Sequence, residues 1–425
     1  MKQLKENRVE TKQQAGSNEK AWWVGDINEK ANHQVNAICP NCGSSGLDLF
    51  YGVSRIPVHS CLVMSSLQKA ESFPTADLKL GLCRQCGFIT NPIFDAEAQD
   101  YNPIYEDQQS YSPTFNAFSE QLAKSLIAKY DLRNKDIVEI GCGKGDFLTS
   151  MCELGPNRGV GIDPTALPGR VQSEAAERVT FIQDFYSEKY SDKVGDMIMC
   201  RHTLEHIYPT RDFVNIVRKS IGNRKDTVVF FEVPDAARVL NDQAFWDVYY
   251  EHCSYFTLGS LARLFRSCGF EVLDLACEYD DQYLLIEAKP VDTPSEKLHP
   301  LEEPVSEVTE MVQKFVRQCD DKLTWWRDYL LEAKKTGKRV VAWGSGSKCV
   351  SFFTTLGITD EVEHVIDINP HRHGKFIVGA SKEVRSPEFL REYRPDIVIV
   401  MNEIYTREIS EMLAGMGLSP DLKAV

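Results

Sequence analysis

A chain of 425 residues with 43% apolar and 26% charged side chains has the balance of a folded globular protein, and its length suggests two to four domains. A net charge of −14 leaves no general basic footprint, which argues against a nucleic-acid partner and means that any anionic ligand must be held by local amides or a few placed cations. No run of about 18 apolar residues occurs, so no membrane partner is expected. The polar start from Met1 to Glu10 is no signal peptide, and thirteen cysteines, an odd number set mostly in apolar runs, suit a cytoplasmic location.

Residues 1–35 read as a disordered polar leader, with Trp22 and Trp23 as a docking patch. Residues 36–98 hold Cys39-Pro40-Asn41-Cys42-Gly43 and Cys83-Arg84-Gln85-Cys86-Gly87. Two thiolates three positions apart, followed by a glycine that relieves the turn, form a knuckle, and two knuckles make a four-sulfur tetrahedral site. Cys39, Cys42, Cys83 and Cys86 are therefore expected to hold a structural Zn2+, since four thiolates leave no open coordination position. The long insert between the knuckles requires an extra strand or helix, and His59 and Cys61 within it read as non-ligands.

Residues 99–290 open with aromatics, Tyr101, Tyr105 and Tyr111 among them, and an amphipathic helix from Phe118 to Tyr130. The apolar strand Asp136 to Ile140 then runs into Gly141-Cys142-Gly143-Lys144-Gly145, with Glu139 before the turn. Alternating glycines let the backbone approach a ligand closely. This spacing differs from the dinucleotide fingerprint and resembles class I S-adenosylmethionine-dependent methyltransferases. Asp163 ends the next strand, where a carboxylate can accept both ribose hydroxyls. Asp184 follows a third strand, where this family often contacts the adenine amino group. The fourth strand, through Cys200, ends in Arg201-His202-Thr203-Leu204-Glu205-His206, at the strand ends where parallel α/β sheets bind ligands. Glu139, Gly141, Gly143, Gly145, Asp163, Asp184 and Cys200 are the expected S-adenosyl-L-methionine contacts. Downstream, Tyr249-Tyr250-Glu251-His252 lies in an aromatic run. A histidine near its ordinary pKa of about 6.5 is a natural general base, although a buried histidine bonded to a carbonyl has the same sequence.

Residues 291–335 read as a linker and a long helix from Val305 to Lys334. Residues 336–425 repeat a strand–turn–strand pattern, with Gly344-Ser345-Gly346-Ser347-Lys348 after the first strand and Asp367 near the end of the second, predicted over 362–369. Such a turn can cradle a phosphate, with Lys348 as the counter-charge. His371 and His373 fit an exposed loop better than a metal pair.

The order of a two-knuckle domain, a methyltransferase core with Tyr-x-Glu-His, and a second α/β domain resembles the three-domain C-methyltransferase family that includes the dTDP-ketosugar C-methyltransferases of antibiotic biosynthesis. The fold this implies is α/β: a class I Rossmann-like core, an N-terminal zinc-binding domain and a C-terminal Rossmann-like domain. The activity it implies is deprotonation of carbon next to a ketone, with methylation of the enolate. The resemblance gives His252 the role of base and makes Tyr249 and Glu251 orienting or polarising groups; His202 and His206, at the fourth strand's end, are alternative bases. It places Tyr105, Gly344, Gly346 and Lys348 against a small acceptor that is nucleotide-linked in the sugar enzymes, and it leaves monomer and homodimer both open. Where those enzymes carry a Pro-Leu-Ala-Asn/Asp type segment between the knuckles, this chain has Arg55-Ile56-Pro57-Val58-His59-Ser60-Cys61.

Overall fold

The structure is a computed structural model and describes residues 21–25, 34–99, 101, 105–106 and 108–425. Its centre is a seven-stranded sheet with the order Phe270–Glu278, Tyr283–Pro290, Val228–Pro234, Met197–Arg201, Asp136–Ile140, Arg158–Ile162, Val179–Ile182. All strands are parallel except Tyr283–Pro290, which runs antiparallel to both of its neighbours. The chain starts in the middle at Asp136–Ile140, builds outward through Arg158–Ile162 and Val179–Ile182, and returns to Met197–Arg201 on the other side. That reversal opens a crevice at the carboxyl ends of Asp136–Ile140 and Met197–Arg201. The strands are apolar on both faces because helices cover both, among them Pro113–Tyr130, Asp146–Leu154, Thr210–Ile221 and Leu258–Ser267.

The first of these helices begins five residues before the expected Phe118. Ser112 caps it by accepting from the Phe115 amide at 3.2 Å, and Pro113 opens its first turn. Capping chemistry, more than apolar periodicity, sets this boundary.

The knuckles belong to an antiparallel sheet built on the hairpin Ser45–Pro57 and Thr75–Leu82, which supplies the insert. Two of its strands come from unexpected places. Trp22–Val24 pairs with Tyr51–Val53, so the leader is structured at this point. Trp22 is 7% exposed and donates its indole N–H to Asp320 at 2.8 Å, so it is core and not a docking patch. Residues 1–20 and 26–33 lie outside the described residues. The far edge is Ser254–Tyr255, which follows the Tyr-x-Glu-His run and pairs with Ile89–Thr90.

The C-terminal sheet is parallel throughout, with order Val384–Arg385, His364–Ile366, Val340–Trp343, Ile397–Val400, Asp421–Ala424. Its second strand is shorter than expected, because the chain turns at Asp367, whose carboxylate bonds the Ser345 and Asn369 amides. Helix Val305–Lys335 ties this sheet to the knuckle sheet. It buries Val308, Val312, Phe315, Cys319, Leu323, Trp326 and Leu330, at the three- and four-residue steps of a single face. Phe315 meets Phe50 and Tyr51 edge-on, and Trp326 meets Phe352. Each large side chain buried in this way contributes about 1.5–3 kcal/mol. One continuous core therefore spans the knuckle sheet, the long helix and the C-terminal domain. Among the described residues no helix is long and apolar enough to cross a membrane.

Candidate active site

A cavity of about 850 Å³ lies at the carboxyl ends of the central strands and reaches the C-terminal glycine turn. On the core side the glycine loop forms its floor. Gly141 has φ 71°, and a Cβ there would fall 1.8 Å from Thr203 Oγ1. Gly145 has φ 92° and opens helix Asp146–Leu154; a Cβ on it would strike the Phe181 ring at 2.3 Å. Gly141 and Gly143 line the cavity, whereas Gly145 shapes the loop behind it. Asp163 also lines it, its carboxylate fixed by the Gly143 amide at 2.9 Å and the Thr165 amide at 2.6 Å. Glu139 is 2% exposed and one of its oxygens has no partner. Burial pushes its carboxyl up to about 7. A buried acceptor without a donor, beside a loop that no side chain can fill, fits a ligand carrying hydroxyl or ammonium donors, as S-adenosylmethionine does.

Two of the expected donor contacts do not reach the cavity. The Asp184 carboxylate is turned to the Tyr190 hydroxyl at 2.6 Å, to Lys189 and to its neighbour's amide at 2.8 Å. Cys200 is sealed inside its strand; the lining residue there is the next one, Arg201. Arg201 forms a two-point ion pair with the fully buried Glu232, at 2.7 and 3.2 Å, and lies over the Phe147 ring. The Glu232 carboxylate also lies 2.7 Å from His202 Nε2, so His202 faces an acid.

The opposite wall carries Tyr249 and His252, with ring centres 4.1 Å apart. The His252 ring has no hydrogen-bond partner among the described residues. Burial, then the neighbouring His206 and His202, holds its pKa well below the ordinary value, so it is neutral. His206 is kept neutral in the same way, down to about 4. Its Nδ1 lies 3.1 Å from the Glu251 carbonyl and 2.9 Å from the Tyr101 hydroxyl. A carbonyl only accepts, so Nδ1 carries the proton and Nε2 presents its lone pair.

Glu251 does not orient His252. Its carboxylate, 1% exposed, turns away and accepts from Tyr105 O–H at 2.8 Å, His59 Nδ1 at 3.1 Å, the Ser60 amide at 2.7 Å and the Ser60 hydroxyl. His59 and Ser60 come from the divergent segment between the knuckles. Sequence reasoning missed this partnership; the one signal was that departure from the sugar enzymes. Ser60 reaches on to Ser347 at 2.8 Å, and Arg372 binds the Cys61 carbonyl at 2.9 Å and the Glu106 carbonyl at 2.7 Å. The three domains therefore meet at Glu251.

The C-terminal turn lines the same cavity, but it is no ready phosphate cradle. Lys348 is ion-paired to Asp247, and the Ser345 amide bonds Asp367 at 2.8 Å. Arg372 is spent on Ser345 and the two carbonyls. This amide-to-acid bond repeats the one between Gly143 and Asp163, so the second glycine turn has the donor loop's local architecture.

The knuckles stand on the far side of the Ser254–Tyr255 strand. Cys39 and Cys86 sulfurs are 3.7 Å apart, Cys42 and Cys83 3.6 Å, and all four lie within 4.8 Å of one another. Tetrahedral ligation at about 2.3 Å per Zn–S bond requires sulfurs about 3.8 Å apart, so the set fits zinc. The knuckles are pinned to the core by Arg263, which donates to the Cys86 carbonyl at 3.0 Å, and by Arg211, which donates to the Asn41 carbonyl at 3.1 Å.

A family model described as a methyltransferase domain matches residues 114–275, and one described as a C-methyltransferase C-terminal domain matches residues 297–417. The C-methyltransferase NovU of Streptomyces niveus is 26% identical over 310 residues, which cover 68% of this chain and 71% of NovU. Among solved structures, the N,N-8-amino-8-demethyl-D-riboflavin dimethyltransferase RosA of Streptomyces davawensis is 16% identical, over 42% of this chain and 56% of its own, with a TM-score of 0.34. The magnesium protoporphyrin IX methyltransferase ChlM of Synechocystis is 13% identical, over 44% and 90%, with a TM-score of 0.35. Neither score supports an argument about function.

Proposed function

Because the chain belongs to the S-adenosylmethionine-dependent C-methyltransferases, we propose that it methylates carbon next to the carbonyl of a small acceptor, with a nucleotide-linked ketosugar as the first compound to try. The observation that carries this reading is one cavity with the glycine loop and Asp163 on one side and, on the other, a neutral His252 whose ring has no hydrogen-bond partner among the described residues.

S-adenosylmethionine, when bound, supplies a methyl group made electrophilic by its sulfonium. Glu139, Gly141, Gly143 and Asp163 would hold it at the floor. His252 takes the proton from the acceptor carbon: the C–H bond breaks, an N–H bond forms on the ring, and the electron pair moves toward the carbonyl oxygen as the enolate forms. Burial keeps the imidazole neutral, with a lone pair free for this proton; the same burial lowers its basicity, so the enolate charge that develops beside the ring must help to hold the imidazolium. Tyr249, against its face, fixes the ring plane, and Tyr101 and Tyr105 exclude water. His202 is less suited to be the base, because its Nε2 faces the Glu232 carboxylate rather than the cavity's open side. Holding base and acceptor carbon in register is the chief contribution of such a site. Cys39, Cys42, Cys83 and Cys86 would hold zinc, which would fasten the sheet whose edge strand follows His252. Asp367, at the second glycine turn, is the group best placed for hydroxyls of a nucleotide-linked acceptor, in place of the phosphate contact first expected from Lys348.

The test is hydrogen–deuterium exchange at the acceptor carbon in deuterated water, followed by mass spectrometry, with methyl transfer measured in parallel. His252→Asn should lose both exchange and transfer. Transfer that persists in this variant would point instead to an oxygen or nitrogen acceptor, which needs no strong base.

A further inference from the structure

We propose that the cleft also binds a divalent transition-metal ion on Glu205, His206 and His252, and that this ion inhibits methyl transfer by occupying the lone pair of His252. The binding half stands on geometry alone; the inhibitory half rests on the reading of His252 as the base.

Four observations carry it. First, a carboxylate oxygen of Glu205 and one nitrogen from each imidazole all lie within 4.8 Å of one another. The two rings are 4.8 Å apart between centres, at 82°. An ion at about 2.1 Å from two imidazole nitrogens stands about 3.2 Å from each ring centre, so ligand angles of about 90–109° require ring centres about 4.5–5.2 Å apart. Second, His206 is already in the ligating tautomer. Its Nδ1–H is held by the Glu251 carbonyl, which leaves Nε2 bare, the outer-shell arrangement that fixes metal-binding histidines. Third, Glu205 is 2% exposed and its Oε2 has no hydrogen-bond partner; its carboxylate otherwise meets its own backbone amide and, at 3.8 Å, His202 Nδ1. A buried carboxylate left this bare calls for a cation or a donor. Fourth, all three residues line the cavity, so further coordination positions remain open to water.

The set is also held in place. Glu205 and His206 sit in the short turn Leu204–His206 at the end of Met197–Arg201, and His252 comes from the run leading into Ser254–Tyr255. The Cys253 amide bonds the Glu205 carbonyl at 3.0 Å, and Thr90 and Asn91 hold the Cys253 carbonyl at 2.7 and 2.9 Å. Two imidazoles and one carboxylate select zinc, cobalt, nickel or ferrous iron over magnesium and calcium. The site contains no thiolate, which separates it chemically from the knuckles.

The experiment titrates the full-length protein, its knuckles loaded with zinc, with Co2+. Bound cobalt is measured by equilibrium dialysis, its visible spectrum is recorded, and methyl transfer is assayed at each point. The expected result is one cobalt per chain with nitrogen–oxygen ligand-field bands and no thiolate charge-transfer band, and methyl transfer falling in step with occupancy. Glu205→Gln takes no part in the steps assigned to proton abstraction. It should keep methyl transfer without metal while needing at least about 10- to 100-fold more cobalt for half inhibition, a loss on the scale of metal-site shell changes. His206→Gln, read for cobalt binding only, is the second variant should Glu205→Gln fail to fold. No cobalt beyond the knuckles, or equal affinity in the folded variants, overturns the site. Cobalt that binds as expected yet leaves methyl transfer unchanged overturns the inhibitory half; the metal-free deuterium exchange of His252→Asn then shows separately whether His252 is the base.

Discussion

Replacing Glu251 by glutamine tests the junction at which the three domains meet. The carboxylate accepts from His59 Nδ1, the Ser60 amide, the Ser60 hydroxyl and Tyr105 O–H. Hydrogen bonds to a charged group contribute about 1.5–3 kcal/mol each, against about 0.5–1.5 for neutral pairs. The Ser60 amide cannot reverse its polarity, so the glutamine oxygen must face it and the new NH2 must face His59 and Tyr105. Those two can adapt, one by changing tautomer and the other by rotating its hydroxyl, but every bond loses its charge assistance. Over the four bonds this comes to about 4–6 kcal/mol of lost stability. Urea unfolding of Glu251→Gln, His59→Ala and the double variant should give a coupling energy of about 1–3 kcal/mol. Methyl transfer should fall through loosened geometry while deuterium exchange at the acceptor survives, because the carboxylate does not touch His252. A cost below about 0.5 kcal/mol, within the range of an ordinary surface change, would refute the clamp. Loss of exchange as complete as in His252→Asn would make the carboxylate the base and refute the assignment.

Gly141→Ala should abolish S-adenosylmethionine binding in calorimetry while the chain still folds, because its Cβ would collide with Thr203 at the loop floor. Glu139 gives a pH signature in the absence of ligand. Burial raises its carboxyl from the ordinary 4.5 to about 7, so the folded state binds more protons than the unfolded one between those values. The stability it contributes is present below about 4.5 and is lost as pH rises through about 7, by about 3 kcal/mol, and Glu139→Gln should flatten that slope in unfolding curves taken from pH 5 to 8. Stripping zinc with a chelator, or Cys42→Ser, should loosen the knuckle sheet and, through Ser254–Tyr255, disorder the His252 run. Faster amide exchange at Ile89–Thr90 and Ser254–Tyr255 would be the readout; unchanged protection there would contradict the link.

Much of the core was legible because its signals are local. The glycine loop, Glu139 and Asp163 lie within one strand–turn–strand unit, and each knuckle spans four residues, so spacing alone carries the chemistry. What escaped depends on partners far apart in the chain. Glu251 and His59 are separated by 192 positions, and Lys348 and Asp247 by 101. Nothing near Lys348 signals that its charge is already matched. Trp22 sits in a polar stretch, and only the pairing of its strand with Tyr51–Val53 makes it core. Ser254–Tyr255 is a two-residue strand and has no periodicity to read.

That short strand bears on how such a protein can change over evolutionary time. The edge of the knuckle sheet is encoded more than 160 positions downstream of the strand it pairs with, just after the histidine given the role of base. A crossover at the apparent border between the first two domains would carry away the knuckles but leave behind the strand that completes their sheet. The two segments must therefore be inherited together for the sheet to stay whole.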